Sequence, residues 1–367
     1  MSRLHVVSGK GGTGKTTVAA ALALALAADG RRTLLVEVEG RQGIAQLFET
    51  EALPYEERKI ATAPGGGEVH ALAIDPEFAL LDYLHMFYKL GSAGRALKKL
   101  GAIDFATTIA PGLRDVLLTG KACEAVRRRG RDGRYAYDAV VMDAPPTGRI
   151  TRFLNVNDEV AGLARTGPIH KQAQAVMRVL KSPETAVHLV TLLEEMPVQE
   201  TADGVAELRA EGLPTGAVVI NMVRPALLDQ SAIETVLSAA NGTRRGRGKA
   251  AGNGSGKTAG NGSGKTTGDG LGAGAARWTA EERTALAKAL SQAGLGGARR
   301  GGLAERLVDP LLEQAREHAE RVTLERAQRA ELARLGLPTH ELEQLTDGVD
   351  LAGLYRLAAD LRKQWPA

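Results

Sequence analysis

The stretch "SGKGGTGKTT", residues 8–17, decides how this chain is read. Gly9, Gly14, Lys15 and Thr16 fit G-x-x-x-x-G-K-[ST], and the surroundings suit that motif. "LHVVS" (4–8) before it is a short apolar run with β-branched residues, the form of a strand buried on both faces. "KTTVAAALALALAA" after it is an Ala/Leu-rich helix closed by Asp29-Gly30. Glycines in such a strand–loop–helix unit let the backbone wrap phosphates, so that amide N–H groups and the helix N-terminus face negative charge. The expected phosphate cradle is Gly9, Lys10, Gly11, Gly12, Thr13, Gly14, Lys15, Thr16 and Thr17. Lys15 is expected to reach the β and γ phosphates, and the Thr16 hydroxyl to ligate Mg²⁺.

Outward from the loop, strands and helices alternate. Strands are expected at 33–39, 69–74, 137–143, 186–193 and 216–222, with another near 340–345. Helices are expected after Asp75-Pro76, through 92–130, over 199–211, 279–293 and 304–335, and near 350–363. This alternation predicts an α/β fold with a doubly wound, mostly parallel sheet. A helical subdomain is expected at about 77–130 and 160–182, within a core of residues 1–240. Residues 277–367 are expected to complete the same domain.

Between them, residues 241–276 collapse to Gly, Ser, Asn, Lys, Arg and Thr, and contain the tandem "AGNGSGKT" at 251–258 and 259–266. Such a composition buries too little apolar surface to offset its ordering entropy, so a disordered insertion is expected. The tandem imitates the phosphate loop without reproducing it. Six residues before Lys257 and Lys265 stand Ala251 and Ala259 in place of the required glycine, with no hydrophobic strand before either copy.

With 44% hydrophobic and 25% charged residues, the 367-residue chain has an ordinary globular composition. It has no apolar run of about 18 residues and no basic-then-apolar leader pattern, so a cytoplasmic location is the expectation. The net charge of +4 is concentrated. Arg244, Arg245, Arg247, Lys249, Lys257 and Lys265 lie in one stretch without an acidic residue, and their removal leaves a net of about −2. A nucleic-acid partner is therefore not expected. The single thiol, Cys123, cannot make an intrachain disulfide or a CxxC zinc site, and reads as a small semi-buried hydrophobe.

Lys10, directly after Gly9, is a second lysine that the plain motif does not need. "KGGTGKTT" resembles the signature of the deviant Walker A ATPases. Within that group "VVMDAPPTGRITRFL" (140–154) resembles the second switch of the arsenite-pump and tail-anchored-protein-targeting ATPases, with Arg149 for the usual histidine and Pro145 for alanine. "AIDPEFALLDYL", "APGLRDVL", "TLLEEMPVQETADGVAELRAEGLP" and "VVINMVRP" are similar to blocks of that family, in family order. The resemblance spans roughly 1–240, and 279–367 more weakly.

The resemblance implies an ATP- and Mg²⁺-dependent dimer in which Lys10 reaches the partner subunit's phosphates, much as an arginine finger does. It implies that Asp143 holds Mg²⁺ through water and that Asn221 recognises adenine. The family's switch aspartate aligns with Glu39 in "VEVEGRQGIAQLF", two residues beyond Glu37, giving Glu39 the attacking water. The partner subunit is either a second copy or a paralogue. Arsenite needs soft thiolates, and one cysteine excludes it as the ligand; zinc is likewise not expected.

A hydrophobic protein client is the further expectation, with Leu80, Leu84, Met86, Phe87, Leu90, Met177 and Leu180 as a groove or, alternatively, plain core. The final helix reads as docked or as a membrane-surface amphipath. The other readings are a partition or positioning ATPase acting on DNA or membrane, and a poorly hydrolysing ATP-sensing scaffold.

Overall fold

A computed structural model of the chain describes residues 2–88, 112–163, 168–245, 278–295, 302–346 and 348–365. They divide into two compact units, one of Met1–Arg224 with Gln328–Ala367 and one of Pro225–Ala327. No helix among the described residues is long and apolar enough to cross a membrane.

The first unit holds an eight-stranded sheet in the order β3-β4-β2-β5-β1-β6-β7-β8. In chain order the strands are β1 (Leu4–Gly9), β2 (Arg32–Glu37), β3 (Arg58–Thr62), β4 (Glu68–Ala73), β5 (Ala139–Asp143), β6 (Thr185–Thr191), β7 (Thr215–Val223) and β8 (Thr339–Glu343). The sheet is parallel except for the antiparallel pair β3·β4 at one edge. β1 lies centrally, with Leu4 level with Val140 of β5 and Thr185 of β6, and both of its faces are buried.

Side-chain alternation sorts the core onto two faces. Leu4, Val6, Leu34, Val36, Val140 and Met142 face four helices: α4 (Leu113–Arg127), α5 (Thr147–Leu163), α6 (Pro168–Leu180) and α7 (Glu195–Ala210). Val7, Leu35, Val141, Val190, Val219 and Leu342 face α1 (Lys15–Ala27) and α11 (Leu351–Gln364). α1 is almost entirely Ala, Leu and Val because it is covered on two sides, by the sheet and by α11. Each fully buried leucine contributes about 1.5–3 kcal/mol.

Short α2 (Gly43–Leu47) and α3 (Pro76–Tyr88) complete this unit, apart from the C-terminal end of α10 (Leu303–Ala333). Asp75 caps α3, its carboxylate accepting from Glu77 N at 2.8 Å and Phe78 N at 3.1 Å.

Several differences from the sequence expectations lie at the boundaries of elements. β2 ends at Glu37, so Glu39 stands beyond the strand, in the turn that Gly40 makes at φ 67°. The expected helix at 199–211 begins earlier, at Glu195. β3 was not anticipated, because an edge strand reading R-K-I-A-T is half exposed and carries little apolar signal. Of the candidate client stripe, Leu80, Met177 and Leu180 are buried in the core, and Leu90 lies outside the described residues. The apolar face of the final helix, Leu354, Leu357, Ala358 and Leu361, is buried in the core against α1.

The second unit contains α8 (Gln230–Arg245), α9 (Ala280–Leu290), a kinked turn at Ser291–Leu295 and most of α10. Ile233, Val236, Ala319 and Val322 form its core. α8 runs to Arg245, so the expected insertion at 241–276 begins inside a helix; the rest of that segment lies outside the described residues. Thr279 and Glu282 form a reciprocal capping box at the start of α9.

Candidate active site

The phosphate loop leaves β1 at Gly9 and enters α1 at Lys15. Gly9 passes so near β6 that a Cβ there would lie 2.3 Å from the Val190 carbonyl oxygen, so any side chain is excluded. Thr13 closes the turn by donating twice to the Lys10 carbonyl, from N at 3.3 Å and from Oγ1 at 2.9 Å. Gly14 stands at φ 82° at the head of α1 and, having no side chain, cannot cap that helix. Its first-turn N–H groups, those of Lys15, Thr16 and Thr17, are left to face an anion. Cβ atoms added to Gly11 or Gly12 would meet nothing within 4 Å, so the cradle is open.

Below the loop, Thr16 Oγ1 donates to Asp143 Oδ2 at 2.7 Å, joining the head of α1 to the end of β5. Asp143 is 9% exposed, and its Oδ1 is buried without a hydrogen-bond partner among the described residues. Burial is the main reason its carboxyl is pushed up to about 6; the Thr16 bond and Lys15 pull it down, and Glu37 and Glu39 push it up. An orphaned carboxylate oxygen beside a hydroxyl, amid further carboxylates, is a hard oxygen donor set that fits Mg²⁺.

The turn after β2 is held by Glu37 rather than Glu39. Glu37 is 3% exposed and accepts from Gln42 N at 2.5 Å and Ile44 N at 3.4 Å, curling the chain back toward the loop. Gln42, at φ 57°, exchanges two side-chain hydrogen bonds with the Leu53 backbone. Gly43 lies against the Thr16 methyl. Glu39 is only partly exposed, with Arg41 Nε at 3.7 Å.

The segment that resembles a second switch follows β5. Ser8 Oγ donates to the Pro145 carbonyl at 2.6 Å, and Ala144 N donates to Val7 O at 2.9 Å. Thr147, the first residue of α5, donates to Glu200 Oε2 at 3.3 Å. The other oxygen of Glu200 meets Lys10 Nζ at 2.8 Å, so Lys10 turns away from its own cradle toward α7. Arg149 lines a cavity of about 330 Å³ together with Asp115, Arg152 and Glu159.

Asn221 lies near the end of β7, 5% exposed, and its Nδ2 donates to the Thr13 carbonyl at 2.9 Å. It therefore tethers the loop. Cys123 lies fully buried in α4, and burial pushes its thiol up to about 12.

The structure thus brings Lys15, Thr16, Asp143 and Asn221 to one loop, with Glu39 near enough to bear on Asp143 electrostatically. Sequence reasoning missed Glu37 as a backbone clamp, though its place at the end of a buried strand was a usable signal. It also missed Glu200, whose partners lie 190 and 53 residues away, too far for any local pattern to show.

Comparison with known proteins agrees with this architecture. A family model described as Anion-transporting ATPase matches residues 2–182. ATPase BagA of Mycobacterium tuberculosis is 48% identical over 362 residues, covering 99% of this chain and 93% of that protein. The Arsenical pump-driving ATPase of Escherichia coli is 29% identical over 236 residues, 59% of this chain and 39% of that protein. ATPase GET3 of Kluyveromyces lactis is 25% identical over 258 residues, 61% of this chain and 73% of that protein. With a phosphate loop at the end of a central parallel strand and a Thr16–Asp143 pair beneath it, the chain is a P-loop ATPase and belongs to the anion-transporting ATPase family.

Proposed function

We propose that this ATPase is a Mg·ATP-dependent dimeric switch, closed by ATP, opened by hydrolysis, and changing its affinity for a protein client between the two states. The observation that carries this reading is the Lys10–Glu200 pair. Lys10 belongs to the phosphate loop, yet its ammonium is directed across to α7, where it is free of the work that Lys15 does. A lysine so placed suits engagement of a partner subunit, whether a second copy or a paralogue.

In this reading Lys15 and the backbone N–H groups of Gly11 to Thr17 bind and orient the β and γ phosphates. Thr16 and Asp143 would hold Mg²⁺, which when bound supplies charge neutralisation across the transferring phosphoryl group. Glu39 orients the attacking water, while Glu37 fixes the turn that carries Glu39. Asn221 keeps Thr13 in place through its amide N–H and offers its carbonyl oxygen to the adenine amino group. Lys10, released from Glu200, stabilises charge on the neighbouring subunit's phosphates. A single, fully buried cysteine supports a ligand other than arsenite. A cytoplasmic location accords with this reading.

Lys15→Ala is expected to abolish ATP hydrolysis. Wild-type specific activity is expected to rise with protein concentration, and Lys10→Ala to remove that rise while leaving ATP binding. Concentration-independent activity, alone and with a paralogue, would refute the shared-nucleotide dimer. The client is sought by pull-down with Glu39→Gln in ATP against ADP; no ATP-dependent partner would refute the client-binding half.

A further inference from the structure

Nothing in the ATPase reading uses the opposite end of the sheet. There a cavity of about 700 Å³ opens beneath α1 and α11, at the N-terminal ends of β1, β6, β7 and β8. It lies roughly 13 Å along β1 from the phosphate loop, since His5 and Gly9 are four residues apart. Its floor continues the aliphatic rows of the core by one more layer. Two residues before Val7, Val190 and Leu342, on the same strand face, stand His5, His188 and His340. Rings replace branched aliphatics, and the helices above present Leu22, Ala25 and Leu26.

Hydrogen bonds fix two of these rings. Ala217 N–H donates to His188 Nδ1 at 3.0 Å, so His188 carries its proton on Nε2. That proton is donated to His5 Nδ1 at 3.1 Å, and His5 Nε2–H donates to the Ser2 carbonyl at 3.2 Å. Both rings are neutral and fully committed. The Trp365 ring stacks on His340 at 4.5 Å between centroids and meets His188 edge-on at 4.9 Å. Among the described residues, no hydrogen bond reaches either His340 nitrogen or the Trp365 indole N–H. At the mouth, Asp29 holds Arg362 with both carboxylate oxygens at 2.8 Å, while Arg31 makes no ion pair among the described residues.

The cavity therefore combines a neutral, ring-lined interior, two uncommitted polar edges and one uncompensated positive charge at its rim. Its volume is that of a small-molecule site. We propose that it binds a planar aromatic carboxylate, the ring against Trp365 and His340 and the carboxylate at Arg31. An aliphatic chain would bury similar area but forgo the ring–ring contacts. A neutral aromatic would leave Arg31 unanswered.

The probe is 1-naphthoate, titrated calorimetrically into the full chain with and without Mg·ADP. Saturable binding is expected, with 1-naphthalenemethanol and decanoate each roughly tenfold or more weaker. Ala25→Phe, which fills the cavity, is expected to abolish binding. Arg31→Glu, at an exposed rim position, is expected to weaken naphthoate tenfold or more and leave the neutral alcohol unchanged, which a general loss of structure could not do. Absence of saturable binding, equal binding of the alcohol or decanoate, competition by Mg·ADP, or an Arg31→Glu protein indifferent to the carboxylate would each overturn the proposal. Should Ala25→Phe fail to fold, the Arg31→Glu comparison decides alone.

Discussion

Replacing Gly14 with alanine puts the coupling between the phosphate loop and β7 to a quantitative test. The alanine would have to hold φ near 82°, a left-handed conformation that costs an L-residue about 1 kcal/mol. Its methyl would lie 2.4 Å from Asn221 Nδ2. The amide cannot stay where it is, so its bond to the Thr13 carbonyl is lost with it. That loss, with a buried amide left unmatched, adds about 2 kcal/mol and brings the total to roughly 3. In an Asn221→Ala background the obstruction is gone, and Gly14→Ala should cost only about 1 kcal/mol. The four proteins form a double-mutant cycle with an expected coupling near 2 kcal/mol, measured by urea unfolding without nucleotide. If Gly14→Ala costs the same in both backgrounds, the steric link between Gly14 and Asn221 is refuted.

Three other predictions follow from contacts described above. His5, held near 4 chiefly by burial, stays neutral in the folded protein down to that pH, whereas the unfolded chain takes up the proton below about 6.5. Its contribution is therefore full above about pH 6.5 and is lost as pH falls toward 4, by about 3 kcal/mol; His5→Gln should flatten that part of the stability–pH profile, and an unchanged slope would reject the assignment. Glu200→Ala frees Lys10 from a partly exposed pair worth up to about 1 kcal/mol. The protein concentration giving half-maximal ATPase activity should then drop about two- to fivefold, and an unshifted concentration curve would argue against competition for Lys10. Glu39→Gln should slow single-turnover hydrolysis at least about a hundredfold with Mg·ATP binding retained; a rate within a few fold of wild type would leave Glu37 as the carboxylate to test next.

What the sequence made legible is what neighbouring residues encode. The phosphate loop is a contiguous strand–turn–helix, so its glycines, Lys15 and Thr16 could be read in place. Asp143 was readable because it ends a buried run of branched residues. Other parts depend on chain segments meeting from far apart. Glu200 sits in an unremarkable helix and acquires a role only because α7 packs beside the loop. Asn221 was read for a base it could bind, whereas its amide also ties down Thr13, a bond spanning 208 residues. The three histidines of the lower cavity lie on three strands and share no motif. β3 escaped notice because it is short, opens on the charged pair Arg58-Lys59 and is covered by only one neighbouring strand.

The pairing of α1 with α11 bears on how this protein is made. β7 and β8 are adjacent in the sheet, but roughly 115 residues of chain separate them, including the whole second unit. A nascent chain therefore completes its phosphate loop early and lacks the outer cover of α1 until Leu354, Leu357 and Leu361 emerge. During that interval the Ala/Leu face of α1 is exposed, a surface suited to chaperones or to aggregation. Premature termination between β7 and β8 would yield a polypeptide bearing every phosphate-loop residue but a sheet lacking one edge. Such fragments should be insoluble or rapidly degraded, and β8 and α11 thus act as a checkpoint that only chains containing both of them pass.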